Sequence, residues 1–243
     1  MEIFNGSTIE REQFTRRRMV VKIGTSTLCE DSGIVRADFV ANISEQVLAL
    51  RDMGVETLLV SSGAVAMGKL RRPDVEDTRL AAALGQPLLM QVWNKAFYPT
   101  PALQFLFSEE DFKEEIEVKQ LVTSSFSYGI PIINGQSSEN NDSIAAKVAR
   151  MIDADALILL TNKHGVLDKQ GKTVPLINRV EEVVPLIRNG YSQGGSYGMG
   201  PKVTEALSFV QNTGKQAFIA HGHQPGVLHH VHTGRHQGIT RFA

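Results

Sequence analysis

The chain has 243 residues, 42% of them hydrophobic, enough to enclose the core of one large α/β domain or two small ones. Twenty-five lysines and arginines face 26 acidic residues, a net charge of −1, so no global field draws the protein to nucleic acid or to a membrane surface. A single cysteine, Cys29, rules out an internal disulfide, and no apolar run nears the roughly 20 residues that span a bilayer, which makes a cytoplasmic protein acting on a small molecule the default expectation.

Residues 1–18 carry the basic run Arg16, Arg17, Arg18 with no apolar stretch behind it, and Glu2, Glu10 and Glu12 argue against a transit peptide. They read as an N-terminal tail, with one domain over 19–243. Residues 19–23 form a β-branched run closed by Gly24, the pattern of a strand buried on both faces. Apolar residues at Phe39, Val40, Ile43, Val47, Leu48 and Leu50 predict a helix over 38–53, stopped by Gly54, and 57–60 predicts a second strand. Strand, helix and strand in that order imply a right-handed parallel crossover. Further strands are expected at 102–107, 130–133, 156–160 and 216–220, and further helices at 78–97, 118–128, 142–152 and 202–211. The acidic run 109–117 reads as a solvated face, and Met90, Trp93, Phe97 and Tyr98, at helical spacing, read as structural.

Four strand ends run into small or polar residues: Gly24-Thr25-Ser26, Ser61-Ser62-Gly63-Ala64, Asn134-Gly135-Gln136-Ser137 and Thr161-Asn162-Lys163. In an open parallel sheet ligands gather at such carboxyl ends, where glycine admits an anion and free amides donate to it. Two lysines accompany these turns. Lys22 lies near the end of an apolar strand, where a buried ammonium needs a negative partner such as a phosphate. Lys202 follows a stretch with four glycines in seven residues, 194–200. Neither the P-loop pattern nor the dinucleotide G-x-G-x-x-G occurs. Phosphoryl transfer asks chiefly for positioning and positive charge, and two lysines with glycine-rich turns meet that need.

Taken together, Val20-Val21-Lys22-Ile23-Gly24-Thr25-Ser26, Leu59-Val60-Ser61-Ser62-Gly63-Ala64, Leu84-Gly85-Gln86-Pro87, Ile130-Pro131-Ile132-Ile133-Asn134, Asn141-Asp142-Ser143, Leu159-Leu160-Thr161 and Gly198-Met199 through Lys202 resemble the glutamate 5-kinases of the amino acid kinase family, in family order. The resemblance implies an α/β three-layer αβα sandwich with a mainly parallel central sheet, and transfer of phosphate from ATP to the side-chain carboxylate of glutamate. It implies Lys22 and Lys202 as the catalytic lysines. Lys22, Gly24, Thr161, Asn162, Gly198, Met199 and Lys202 would hold the nucleotide, and Ser62, Gly63, Asn134, Ser137, Asn141 and Asp142 the amino acid. Magnesium would ride on the nucleotide phosphates rather than in a protein cage. A homo-oligomer and a downstream acyl-phosphate reductase are the partners it implies.

The chain departs from that family at acidic positions. The usual N-E-N-D is Asn134-Gly135-Gln136-Ser137, G-D-N-D is Glu139-Asn140-Asn141-Asp142, and Thr-Asp is Thr161-Asn162. An amide hydrogen-bonds a cation but does not hold it by charge. Two alternatives therefore stand beside glutamate phosphorylation: a related kinase acting on another carboxylate or a carbamate, and an amino-acid or nucleotide sensor of the same fold without transfer. Six of seven histidines fall between His221 and His236; with no cysteine or acidic residue beside them, solvated histidines are the commoner reading than a metal site, and His164 is the better candidate for nucleotide contact.

Overall fold

In the computed structural model, described over residues 17–108, 110–134, 140–179, 181–182 and 198–243, the strand order follows from the buried apolar runs. Among the described residues the sheet has eight strands: β1 (Arg18–Ile23), β2 (Glu56–Ser61), β3 (Ala102–Phe105), β4 (Ile130–Ile133), β5 (Ala156–Thr161), β6 (Leu176–Ile177), β7 (Gln216–His221) and β8 (Ile239–Phe242), in the order β3-β4-β2-β1-β5-β7-β8-β6. Every neighbouring pair is parallel except β7 with β8. The chain leaves β1 to one side for β2 and later returns to its other side for β5, so the order reverses next to β1. That reversal opens a crevice at the carboxyl ends of the strands, where ligands bind in such sheets.

The helices are α1 (Thr25–Leu28), α2 (Ala37–Asp52), α3 (Ala64–Arg71), α4 (Thr78–Phe97), α5 (Glu115–Ser125), α6 (Asn141–Met151), α7 (Met199–Thr213) and α8 (Val227–His232). They divide between the two faces by the period-2 alternation of the strands. Met19, Val21 and Ile23 of β1 join the core under α2, α4 and α8, with Phe39, Trp93, Phe97 and Leu228. Val20 joins the opposite core under α5, α6 and α7, with Val122, Ile144, Val148 and Phe209. The architecture is therefore the expected three-layer αβα sandwich. It also places the side chain of Lys22 on the α6 and α7 side.

Helix α4 begins at Asp77, whose carboxylate accepts from the amides of Arg79 and Leu80, and runs through Pro87. Its approach to α3 needs two glycines: a Cβ on Gly85 would collide with the carbonyl of Ala64, and one on Gly68 with that of Ala81. Trp93, fully buried on α4, donates from Nε1 to Ser61 Oγ at 3.1 Å and fixes the end of β2.

Several expectations need correction. The third strand stops at Phe105, before Phe107, and the helix expected at 118–128 lies three residues earlier, with Glu115 to Glu117 in its first turn. Lys202 does not open its helix but is the fourth residue of α7, after Pro201 in the first turn, where a missing amide costs nothing. Tyr98, read as structural, is 82% exposed, whereas Met90, Trp93 and Phe97 are buried. Helices α1, α3 and α8 and strands β6 and β8 were not expected. Strand β1 starts at Arg18, the last residue assigned to the tail.

Candidate active site

Lys22 is the penultimate residue of β1, flanked in register by Val60 and Leu159, both fully buried. An ammonium between such neighbours requires charge compensation. It comes from Asp142 in the first turn of α6, a helix started by Asn140, whose side-chain oxygen accepts the Asp142 amide at 3.1 Å. Lys22 Nζ lies 2.7 Å from Asp142 Oδ1, and Lys202 Nζ, from the first turn of α7, lies 2.8 Å from Oδ2. The three side chains are 6%, 0% and 11% exposed.

Two cations share one carboxylate, which leaves one positive charge in excess in a nearly dry setting. Burial lowers the Lys22 pKa below its ordinary value, with Lys202 adding to the effect and Asp142 opposing it. Burial pushes the Asp142 carboxyl up, but the two lysines together outweigh it and hold it below the usual carboxylate range. A group of this kind gains from any anion that reaches it. Gly24 borders the group: a Cβ there would stand in ordinary contact, 3.7 Å from Lys22 Nζ and 3.9 Å from Thr27 Oγ1, a buried hydroxyl without a hydrogen-bond partner among the described residues. Helix α7 begins at Gly198 with no side-chain cap, so its first amides, around Gly198 and Met199, stay available to an anion.

On the other flank, β2 ends at Ser61 and turns into α3 through Ser62 and Gly63. Gly63 has φ +120°, and a Cβ there would lie 2.9 Å from Leu28 Cδ2, so only glycine makes this corner. Asn141 Nδ2 donates to Ser62 Oγ at 2.7 Å, tying the start of α6 to this turn. Asn134, after β4 and 2% exposed, donates to the Ser61 carbonyl at 3.3 Å, and its Oδ1 is buried without a partner among the described residues. Such an acceptor is costly unless a donor meets it.

Thr161 closes β5, and its carbonyl accepts the Gly222 amide at 2.8 Å; Asn162 beside it is exposed. His164 stacks on His221 with centroids 4.5 Å apart, and His221 lies 5.6 Å from His223. Burial, His164, His223 and Lys163 lower the His221 pKa. Among the described residues no cluster of three or more His, Cys, Asp or Glu is arranged to hold a metal ion.

The expected residues Lys22, Gly24, Ser62, Gly63, Asn134, Asn141, Asp142, Thr161, Asn162, Gly198, Met199 and Lys202 thus gather at the carboxyl ends of β1, β2, β4 and β5 and the starts of α6 and α7. Ser137 lies outside the described residues. Asp142, expected at the amino acid, has both oxygens engaged by lysines. Thr27 and the cap Asn140 were not singled out. Asn140 was detectable as a side-chain cap directly before a helical run, whereas nothing local marks Thr27.

Residues 17–221 match the Amino acid kinase family. The chain is similar to glutamate 5-kinase 2 of Bacillus licheniformis, 32% identical over 92% of this chain and 67% of the relative, and to glutamate 5-kinase 2 of Bacillus subtilis, 34% identical over 88% and 65%. It is also similar to glutamate 5-kinase of Thermus thermophilus, 33% identical over 90% and 65%. The chain therefore spans about two thirds of the length of these relatives. In fold it resembles carbamate kinase from Giardia lamblia bound to AMP-PNP, with a TM-score of 0.66 at 17% identity over 94% of this chain and 98% of that one. With the family match over most of its length and relatives above 30% identity, this chain belongs to the amino acid kinase family.

Proposed function

We propose that the chain transfers the γ-phosphoryl group of ATP to the side-chain carboxylate of a small amino acid, L-glutamate first, yielding ADP and γ-glutamyl phosphate. The observation that carries this reading is the buried Lys22–Asp142–Lys202 group, with one positive charge in excess at the carboxyl ends of a parallel sheet. A carboxylate oxygen of the acceptor attacks the γ-phosphorus, the new P–O bond forms, and the bond to the β,γ-bridging oxygen breaks as ADP leaves. No proton moves, so the protein has to place two anions against each other and neutralise the charge that spreads over the phosphoryl oxygens. Lys22 and Lys202 supply that charge, and Asp142 fixes the geometry of both.

The amides around Gly198 and Met199, with Gly24, Thr161 and Asn162, form the nucleotide side. Ser62, Gly63 and Asn141 form the acceptor side, and Asn134 Oδ1, without a partner among the described residues, is suited to a substrate ammonium. Ser137 completes the acceptor set as a proposal from sequence. Asp142, with both oxygens taken by ammonium groups, has no ligand to spare for a metal. Magnesium, held by the nucleotide phosphates, would add charge neutralisation of the same kind.

One observation favours a second acceptor. Asp142 serves the lysines, and the family's other carboxylates are replaced by Ser137 and Asn162, so a less basic or uncharged group than the glutamate ammonium would also fit beside Asn134. The test is ADP release from magnesium ATP across a panel of acidic amino acids and carbamate, with hydroxylamine trapping acyl phosphate as hydroxamate. Fastest turnover on L-glutamate supports the first reading, and turnover only on another acid supports the second. ATP binding with no turnover on any acid refutes both and leaves a sensor. An acyl phosphate is short-lived in water, so a reductase that consumes it is the expected partner.

A further inference from the structure

At the opposite end of the sheet, the amino-terminal ends of β1, β5 and β7 border a cavity of about 500 Å³. Its floor is apolar, formed by Met19, Ala156 and Phe218: Met19 pairs with Ala156 in register, and Phe218 stands on the same face two residues beyond Gln216, the partner of Ala156 on β7. Met19 lies on the α2 and α8 face and Lys22 on the other, three residues or roughly 10 Å further along the strand. The cavity is thus separate from the lysine group in both end and face.

The cavity walls are cationic. Arg17 precedes β1, Arg241 lies on β8, His232 ends α8 and His236 follows it. One carboxylate, Asp155, reaches the wall, but it is already engaged: it accepts the Arg18 amide at 2.8 Å and stands 3.4 Å from Lys215 Nζ. Among the described residues neither Arg17 nor Arg241 has a carboxylate partner, and His232 Nδ1 and His236 Nε2 are each buried without a hydrogen-bond partner. Unpaired guanidinium groups and orphaned imidazole nitrogens around an apolar floor call for a ligand that carries anionic oxygen on an apolar body.

We propose that this cavity binds a small organic anion, a carboxylate or phosphate ester with an apolar moiety, through Arg17 and Arg241, at a site distinct from the lysine group. The guanidinium groups take the anionic oxygens, His232 and His236 lie beside them, and the apolar body covers Met19 and Phe218. Burial lowers the pKa of both histidines, with Arg17 and His229 adding to it at His232 and Arg241 at His236; the Val231 carbonyl opposes it at His236. An anion between the arginines relieves part of that field.

The experiment titrates the full chain with phenyl phosphate, benzoate and benzyl alcohol, followed by calorimetry and by the imidazole C–H signals of His232 and His236. Saturable binding of one or both anions that moves those two signals is expected, with the ester or the carboxylate preferred according to which source the site serves. Benzyl alcohol should not saturate. The double variant Arg17→Gln, Arg241→Gln should weaken anion binding at least ~10-fold, the loss of about 1.4 kcal/mol, while phosphoryl transfer is unchanged. Arg17→Gln alone, at an exposed position, should weaken it severalfold if the double variant does not fold. Absence of saturation, equal binding of benzyl alcohol, unmoved His232 and His236 signals, or affinity unchanged in the arginine variants would overturn the proposal.

Discussion

Replacing Asp142 by asparagine keeps the shape of the side chain and removes the one negative charge between Lys22 and Lys202. At 2.7 and 2.8 Å each ammonium gains roughly 6 kcal/mol of gross attraction at an effective dielectric of about 20. Most of that offsets the desolvation of three buried groups, and removing one partner from a buried pair costs about 3–5 kcal/mol net. In a chain of this length each kcal/mol moves the melting temperature by about 2–4 °C, so Asp142→Asn should melt roughly 10 °C lower. Lys22, whose pKa burial already lowers, should release its proton more readily to relieve the repulsion. With the lysines displaced, transfer should fall about 10²- to 10³-fold, the usual loss of a preorganised charge partner. Inorganic phosphate or ADP should recover more of the melting temperature in the variant than in the parent, because without Asp142 the bound anion is the only counter-charge for the two lysines and brings Lys22 back to its protonated form. Thermal melts with and without phosphate, beside hydroxamate formation, make the measurement. A variant within about 1 kcal/mol of parental stability and within about fivefold of its rate would refute the electrostatic account.

Other perturbations test separate links. Lys22 is depressed in the folded protein, so between its folded value and the ordinary lysine value of 10.5 the unfolded chain binds more protons. Its contribution to stability therefore rises with pH across that window while transfer, which needs the ammonium, falls; pH–rate and pH–melting profiles should slope in opposite directions there. Gly85→Ala drives a Cβ into the Ala64 carbonyl and should cost about 1–3 kcal/mol or more, read as a lower urea midpoint at constant slope. Asn141→Ala removes the 2.7 Å donor to Ser62 and should raise the acceptor KM about tenfold with a smaller change in kcat. Cys29 is 1% exposed, and burial pushes its thiol up to about 11 against the opposing Arg36, so iodoacetamide should label it at neutral pH only on unfolding.

The sheet was legible because its central strands are short, continuous apolar runs bounded by glycine or polar turns. The helix at Thr78–Phe97 was read to the residue, although it contains Pro87. What escaped had no local signature. Helix α3 follows Gly63 directly and runs only eight residues, so its start read as a glycine turn. Strand β6 has two residues and β8 has four, and their pairing is set by the β7 edge rather than by their own pattern. The site shows the same division. Lys22 was identifiable as a buried cation in need of a negative partner. That its first partner is Asp142, shared with Lys202 from 60 residues further on, depends on two helix starts meeting over one strand end, which no spacing in the chain announces.

The central claim is that a carboxylate oxygen attacks the γ-phosphorus, and oxygen labelling tests it most directly. With L-glutamate carrying ¹⁸O in its side-chain carboxylate and hydroxylamine attacking the acyl carbon, the phosphate released should carry one labelled oxygen, and Lys22→Ala and Lys202→Ala should suppress its formation. Phosphate without label, formed at the rate of ADP release, would mean that water rather than the carboxylate takes the phosphoryl group, and would contradict the account.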